Sequence, residues 1–313
     1  MNCLVLGGAG FIGSHLVDAL LAHGHYVRVF DKKDVSKNNL IQSLNKIEFL
    51  EGDFINERDL SGAIKGIDTV FHLVSTTLPE TSNQNPCYDI RTNVVSTISL
   101  LEKCVKHGIK KFFFLSSGGT VYGIPHFLPI SELHPTNPIC SYGISKLTIE
   151  KYLALFSHLY KLDYVILRPS NIYGERQRTN SIQGVIPVFL AKALLKEPII
   201  VWGDGSVSRD FCHVDDLIEA FILLLHAGIK NKIYNIGSGR PGSLSEIIKL
   251  IGTISGKDLR IEYKPNRALD VPINYLDLQL AYSELGWKPR IQLEEGIERT
   301  WNWVRSNIDD AGS

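Results

Sequence analysis

A glycine-rich turn between a short apolar strand and a helix constrains this chain more than any other feature. Asn2-Cys3-Leu4-Val5-Leu6 reads as a buried strand, and Gly7-Gly8-Ala9-Gly10-Phe11-Ile12-Gly13 follows at once. Ser14 to Gly24 then has the apolar spacing of a helix, and a second apolar strand, Tyr26 to Phe30, ends at Asp31. Strand, glycine turn, helix, strand and acid, in that order, form the layout of a dinucleotide-binding βαβ unit. Gly7, Gly10 and Gly13 permit a tight turn, a close approach of backbone to phosphate and close packing of helix on strand. Gly8, Gly10 and Gly13 satisfy the G-x-G-x-x-G form. The helix start offers unpaired N–H groups and a partial positive charge to a pyrophosphate, so Phe11 and Ile12 count with the glycines as cofactor-binding positions.

Asp31 selects the form of the dinucleotide. A carboxylate there accepts hydrogen bonds from both ribose hydroxyls of NAD and repels the 2′-phosphate of NADP. Lys32 and Lys33 follow directly and blunt that repulsion. NAD is the expected cofactor, with Asp31 and Lys32 at its ribose.

A chain of 313 residues accommodates one large α/β domain and a smaller lobe. Its 44% hydrophobic and 21% charged residues are ordinary for a soluble globular protein. The formal net charge is zero, so nothing points to nucleic acid or to an anionic membrane surface as partner. No apolar run is long enough to span a bilayer. The stretch Cys3 to Val17 carries no charge, but it lacks a basic leader and is broken by glycines, unlike a signal peptide. Cys3, Cys87, Cys104, Cys140 and Cys212 are odd in number and show no C-x-x-C spacing, which implies a reduced, cytoplasmic protein. The ten histidines form no zinc pattern with them, and no metal is expected. His23 and His25 flank Gly24 as turn residues.

The first half alternates strands and helices. The expected strands are Asn2–Leu6, Tyr26–Phe30, Ile47–Leu50, Thr69–Leu73, Lys111–Leu115 and Tyr164–Leu167. The expected helices lie near Ser14–Leu21, Glu57–Ile64, Thr92–Lys106 and Ser145–Leu159. Such short apolar strands belong in a parallel sheet covered on both faces, and right-handed crossovers make it doubly wound, the Rossmann arrangement. After residue 168 prolines punctuate the pattern, with dense loops at Trp202–Ser208 and Gly237–Ser243. Helices are expected at Val185–Leu195, Val214–Leu225, Leu244–Ile254 and Glu294–Arg305. The expected division is a cofactor domain of residues 1–168 with about 213–236. A smaller C-terminal α/β lobe for substrate comprises 169–212 with 237–313 and acts as a lid at the carboxyl ends of the strands.

Lys111 to Leu115 runs into Ser116, Ser117, Gly118, Gly119 and Thr120, and Ser141-Tyr142-Gly143-Ile144-Ser145-Lys146 opens a helix further on. Tyr142 and Lys146 are four apart and share one helix face. A tyrosine alone is a poor base at neutral pH, its reference pKa being about 10. An ammonium one turn away favours the phenolate, as a positively charged nicotinamide also would. The pair can take a proton from an alcohol while hydride leaves the same carbon. A strand-end hydroxyl can hold the alcohol oxygen. A bare Tyr-x-x-x-Lys spacing is common; here the fingerprint upstream, the helix start and the serine-rich strand end give it weight.

The chain resembles the extended short-chain dehydrogenase/reductase family in its nucleotide-sugar branch, and within that branch the UDP-hexose 4-epimerases such as UDP-glucose (UDP-galactose) 4-epimerase. The resemblance covers nearly the whole chain. Its marks are Gly7–Gly13, Gly52-Asp53, His72-Leu73, Asn93, Ser116–Gly123, Tyr142–Lys146, Arg168-Pro169-Ser170-Asn171-Ile172-Tyr173-Gly174 and Arg209-Asp210-Phe211. It implies that Asp53 and Phe54 border the adenine. It also implies that Leu73, Val74 and Ser75 line the cofactor cleft with Asn93 nearby, and that Pro169 belongs to the same cleft. It further implies that Asn171 and Val185 lie at the substrate and that Arg209, Arg267 and Asp270 grip the nucleotide diphosphate and ribose. Asn274 stands where relatives gate N-acetylated sugars. Guanidinium forks suit diphosphates, which agrees for Arg209 and Arg267. Relatives dimerise through two helices per subunit that form a four-helix bundle, which implies a homodimer built on Thr92–Lys106 and Ser145–Leu159.

Two departures from the family pattern bear on chemistry. Many relatives carry the catalytic hydroxyl three residues before Val-Tyr-Gly, where this chain has Gly118. Ser117 is the expected replacement, with Thr120 as the alternative, and both reach the sugar. Where the 4,6-dehydratases of the family carry an Asp-Glu pair, this chain has Gly119 and Thr120, which argues against elimination of water. The expected function is inversion at C4 of a UDP-hexose, or an N-acetylated relative, through a 4-keto sugar. The alternatives are an NAD(P)H-dependent 4-ketoreductase acting on a deoxysugar nucleotide, and a non-enzymatic sensor that kept the fold. The intact Tyr142 and Lys146 pair argues against the last.

Overall fold

Strand β1 (Asn2–Leu6) is almost wholly apolar, and Cys3, Leu4, Val5 and Leu6 are all fully buried, as a strand covered on both faces requires. The computed structural model describes residues 1–180, 184–265 and 271–308. Around β1 lie β2 (Tyr26–Asp31), β3 (Glu48–Glu51), β4 (Thr69–His72), β5 (Lys111–Leu115) and β6 (Asp163–Pro169). Their order across the sheet is β6-β5-β4-β1-β2-β3, and the strand Lys232–Ile236 adds a seventh beside β6. The pairings β1 with β2, β1 with β4, β2 with β3, β4 with β5 and β5 with β6 are all parallel. The order therefore reverses between β1 and β4. In doubly wound sheets that reversal opens a crevice at the carboxyl ends of the strands.

Side chains alternate between the two sheet faces. On one face Leu4, Leu6, Val70, Phe112, Phe114 and Ile166 join Leu60, Leu100 and Leu153 from helices in one buried core. On the other, Phe71 stacks on Phe113 at 4.7 Å and meets Phe221 edge-on at 5.9 Å. Contacts divide the chain into two units. The first is Met1–Ile124, Glu132–Pro169 and Ile218–Asn235, and the second is Pro125–Ser131, Ser170–Leu217 and Ile236–Ser313.

The second unit is richer in strands than its prolines suggest. Ser208–His213 is its seam: it pairs antiparallel with Pro241–Ser243 and parallel with both Ile273–Asn274 and Asn171–Tyr173. Ile199–Trp202 and Ile261–Lys264 form a separate two-stranded parallel sheet. Strand Pro241–Ser243 falls inside the segment expected as the loop Gly237–Ser243; three residues pinned by register to Ser208–Asp210 carry no periodicity of their own. The helices Val185–Leu195, Leu244–Ser255 and Leu293–Ile308 pack around a core that includes Phe189, Ile247, Ile251, Ile297 and Trp301.

Helix boundaries in the first unit differ from expectation at three places. The helix after the glycine turn, α1 (Phe11–Ala22), begins three residues before Ser14, on Gly10. The helix expected over Thr92–Lys106 is interrupted: a short helix Pro86–Asp89 leads into a π-helical turn, Ile90–Val95, and only then into Ser96–Lys106. The helix expected near Ser145–Leu159 spans Ser141–Tyr160 and so contains Tyr142 in its first turn. No helix among the described residues is long and apolar enough to cross a membrane.

Candidate active site

The glycine turn fits a pyrophosphate. Gly7 has φ +82°, a left-handed conformation that glycine adopts without strain. A Cβ on Gly13 would stand 2.2 Å from the Gly7 carbonyl oxygen, so α1 can rest on the turn only with glycine there. Gly8 has a different job, because a Cβ on it would meet Val29 Cγ1 of β2 at 2.8 Å. Gly10 caps α1 with no side-chain hydrogen bond, and the first turn holds no acidic residue. The N–H groups of Phe11, Ile12 and Gly13 thus stay with the positive end of the helix dipole, the condition an anion requires.

Asp31 closes this turn from the end of β2. Its Oδ2 accepts the Ala9 N–H at 3.0 Å and its Oδ1 accepts the Lys32 N–H at 2.9 Å, so the carboxylate is aimed rather than free to rotate. Across the turn, Leu73 donates its N–H to the Leu6 carbonyl at 3.2 Å, and a Cβ on Gly7 would lie 3.4 Å from Val74 Cγ2. The segment after β4 therefore stands at the switch point.

Asn93 holds that segment in place. Its Oδ1 accepts the Thr76 N–H at 3.0 Å, and its Nδ2 donates to Thr77 Oγ1 at 3.2 Å and to Asp89 Oδ1 at 2.9 Å. Both ends of the amide are used within the protein, so Asn93 shapes the cleft wall. Phe54 is buried in the core, with its ring 5.0 Å from the His72 ring. Asp53 is exposed and caps its own turn, accepting the Ile55 N–H at 3.1 Å.

Tyr142 and Lys146 lie on one face of the helix Ser141–Tyr160. No side chain at Cys140 caps this helix; Asn83 Oδ1 accepts the Ser141 N–H at 2.9 Å and Ser82 Oγ accepts the Tyr142 N–H at 3.0 Å. Lys146 is buried, and its Nζ donates to the Leu115 carbonyl at the end of β5 at 2.9 Å while standing 5.5 Å above the Tyr142 ring centre. Burial lowers the Lys146 ammonium to about 8, against the pull of the Asp89 and Glu150 carboxylates, which raise it. The phenol is pushed up, first by burial, then by the Cys140 thiol and the Asp89 carboxylate; a hydrogen bond with Ser75 works the other way. Desolvation is thus the largest influence on the Tyr142 phenol in the protein by itself.

The strand-end loop meets this helix. The Gly118 N–H binds the Pro169 carbonyl at 2.8 Å, which ties Ser117-Gly118 to the end of β6. A Cβ on Gly143 would lie 2.8 Å from the Thr120 carbonyl oxygen, so the Thr120 backbone is against the helix beside Tyr142. Thr120 Oγ1 is buried with no hydrogen-bond partner among the described residues, so its hydroxyl is available to a ligand. Ser117 is half-buried beside it.

Sequence reasoning missed the support beneath this pair. Arg168 and Glu150 form a buried ion pair, Nη2 to Oε2 at 2.5 Å and Nε to Oε1 at 3.0 Å. Ser116 Oγ donates to Glu150 Oε1 at 2.5 Å, and Arg168 Nη1 donates to Tyr122 Oη at 2.9 Å. Glu150 follows Lys146 by four residues, a spacing that places it on the same helix face.

In the second unit Asn171 and Asn274 both pair with the seam strand, opposite Phe211 and Arg209 respectively. Asn171 Nδ2 donates to the Asp210 carbonyl at 3.2 Å. Arg209 Nη1 donates to the carbonyls of Ser208 at 2.9 Å and Val271 at 2.6 Å, which holds its guanidinium at the strand edge. Val185 opens its helix and packs on the core of this unit. Arg267 and Asp270 lie outside the described residues.

Known proteins resemble this chain in sequence and fold. A Methanocaldococcus jannaschii protein provisionally assigned as a UDP-glucose 4-epimerase is 42% identical over 97% of this chain and 98% of its own length. The crystal structure of UDP-glucose 4-epimerase from Thermotoga maritima, solved with UDP-glucose, superposes with a TM-score of 0.93 at 38% identity, covering 98% of this chain and all (100%) of that one. The UDP-glucose 4-epimerase of Thermus thermophilus, solved with NAD, gives 0.91 at 31% identity, with 98% and 100% covered. Residues 3–237 match the family described as the NAD dependent epimerase/dehydratase family, and the chain belongs to it.

Proposed function

We propose that this protein is an NAD-dependent 4-epimerase of a UDP-hexose. The observation that carries the reading is the buried Lys146 ammonium over the Tyr142 ring, on a helix whose first turn meets the serine-rich strand end. Gly7, Gly10, Phe11, Ile12, Gly13 and Asp31 would hold the dinucleotide, with Leu73, Val74 and Ser75 along its cleft. NAD held there supplies the hydride acceptor and donor, and its positively charged ring favours the phenolate. Tyr142 takes the proton of the sugar C4 hydroxyl, and Ser117 or Thr120 steadies the oxygen. Lys146 stabilises the phenolate in a site where burial strengthens every charge interaction. The 4-keto sugar turns over, so that hydride from the reduced cofactor would reach the opposite face of C4 while Tyr142 returns the proton to the C4 oxygen. The cofactor ends as it began, which suits the fixed Asp31 carboxylate.

Asn171, Arg209, Arg267 and Asp270 take the nucleotide diphosphate. Asn274 is small and buried, and we assign it room for an acetamido group. The five cysteines, all free, support a reducing compartment, the cytoplasm. A panel of UDP- and dTDP-sugars read by NMR tests the reading: inversion at C4 is expected for UDP-glucose and for UDP-N-acetylglucosamine. Oxidation of NADPH by a dTDP-4-keto-6-deoxy sugar, with no inversion of any UDP-sugar, would assign a 4-ketoreductase instead.

We also propose a homodimer. The helices Ser96–Lys106 and Ser141–Tyr160 pack together, and Ile144, Leu155 and Leu159 on the second and Val95 before the first are exposed apolar residues. Paired with a second copy they would form a four-helix bundle. Light scattering at micromolar concentration is expected to give twice the chain mass, and Leu155→Glu to halve it. A monomer mass for the unaltered chain rules the dimer out.

A further inference from the structure

We propose that Asp89 is a positioning residue of the Tyr142–Lys146 pair: its buried carboxylate fixes the helix face that carries them and supplies a counter-charge to the ammonium. This rests on the reading of that pair as the proton-transfer device. Asp89 ends the short helix Pro86–Asp89 and has no solvent exposure. A lone buried carboxylate is costly, so its hydrogen bonds say what it is for. Oδ2 accepts from Ser141 Oγ at 2.9 Å and from Ser145 Oγ at 2.6 Å. Oδ1 accepts from Asn93 Nδ2 at 2.9 Å and from the Thr77 hydroxyl. Ser141 and Ser145 each precede, by one residue, Tyr142 and Lys146. Thr77 and Asn93 brace the segment after β4. One carboxylate thus locks the cleft wall to the helix that presents the acid–base pair, and it does so from a third element.

Its charge also acts on the pair. The Asp89 carboxylate raises both Lys146 and Tyr142. The other ionisable groups that face them among the described residues are Glu150, which raises Lys146, and Cys140, which raises Tyr142. His72 of β4 also faces Lys146; it is held well below its ordinary value, chiefly by burial, and stays neutral. Removing the Asp89 charge removes one of the two carboxylates that keep Lys146 protonated.

The test uses the NAD-loaded protein and Asp89→Asn, which keeps volume and one accepting oxygen but not charge. Titration of Lys146 is followed by 13C NMR of the lysine Cε, assigned with Lys146→Arg, and the pH dependence of kcat is measured in parallel. Lys146 is expected to titrate about one pH unit lower in Asp89→Asn, and the alkaline limb of kcat to move down with it. Ser145→Ala removes a hydrogen bond but no charge, and is expected to lower kcat without moving that limb. Should Asp89→Asn melt too early to measure, Asp89→Ser is read in the same way. An unmoved Lys146 titration in the folded neutral variant overturns the proposal, whatever happens to kcat. If the unaltered protein inverts no sugar while the titration still shifts, the acid–base reading fails and the electrostatic role of Asp89 stands.

Discussion

Tyr142→Phe is expected to lower kcat for C4 inversion at least about a hundredfold, the low end of what a positioned acid–base group contributes. The phenyl ring keeps the apolar contacts, and the helix keeps its start, because Asn83 and Ser82 cap it through backbone N–H groups that the substitution leaves alone. NAD affinity and melting temperature should therefore change little, while single-turnover reduction of bound NAD by UDP-sugar should nearly vanish. A loss of only a few fold would show that another group moves the proton. The pH profile carries a second sign. Lys146 titrates at about 8, so kcat of the unaltered protein is expected to fall as pH rises through that value and the ammonium that stabilises the phenolate is lost.

Arg168→Met has the largest expected effect on stability. The side chains of Arg168 and Glu150 retain 3% and 2% of their exposure, so losing the guanidinium leaves a carboxylate in the core whose remaining hydrogen bond among the described residues comes from the Ser116 hydroxyl. Breaking a buried pair from one side costs about 3–5 kcal/mol. In a chain of this size that corresponds to a fall in Tm of roughly 10 °C. Tyr122 adds to the loss, since its hydroxyl bonds both Arg168 and Asn235 Oδ1, the latter at 2.7 Å. Thermal melts followed by circular dichroism measure this directly. An unchanged Tm would mean that the buried pair adds nothing to stability. The double variant Arg168→Met with Glu150→Leu should recover part of the loss, because it removes the stranded charge.

The glycine turn, the parallel strands and the Tyr142–Lys146 spacing were all legible before any coordinates, because each rests on local chemistry: backbone clearance, period-two burial and one helical turn. What stayed hidden depends on partners distant in sequence. The start of the Tyr142-bearing helix at Ser141 is set by Asn83 and Ser82, roughly sixty residues upstream, and no cap signal sits at Cys140. Asp89 reads as an ordinary acid near a helix end until Ser141 and Ser145 are seen around it. The strands Pro241–Ser243 and Ile273–Asn274 are two or three residues long and exist only through register with Ser208–His213. The π-helical turn at Ile90–Val95 has no sequence mark, and it is where Asn93 reaches the segment after β4.

The seam strand of the second unit has an evolutionary implication. Asn171, Arg209 and Asn274 sit on three neighbouring strands, each held mainly by backbone pairing. Their side chains can be exchanged while the ladder that carries them stays intact. Tyr142, Lys146 and Asp89 belong to the other contact unit and to a web of buried side-chain bonds that tolerates little exchange. On the proposed reading, exchanges at Asn171, Arg209 and Asn274 can alter which sugar is accepted and leave the buried bonds around Tyr142, Lys146 and Asp89 untouched.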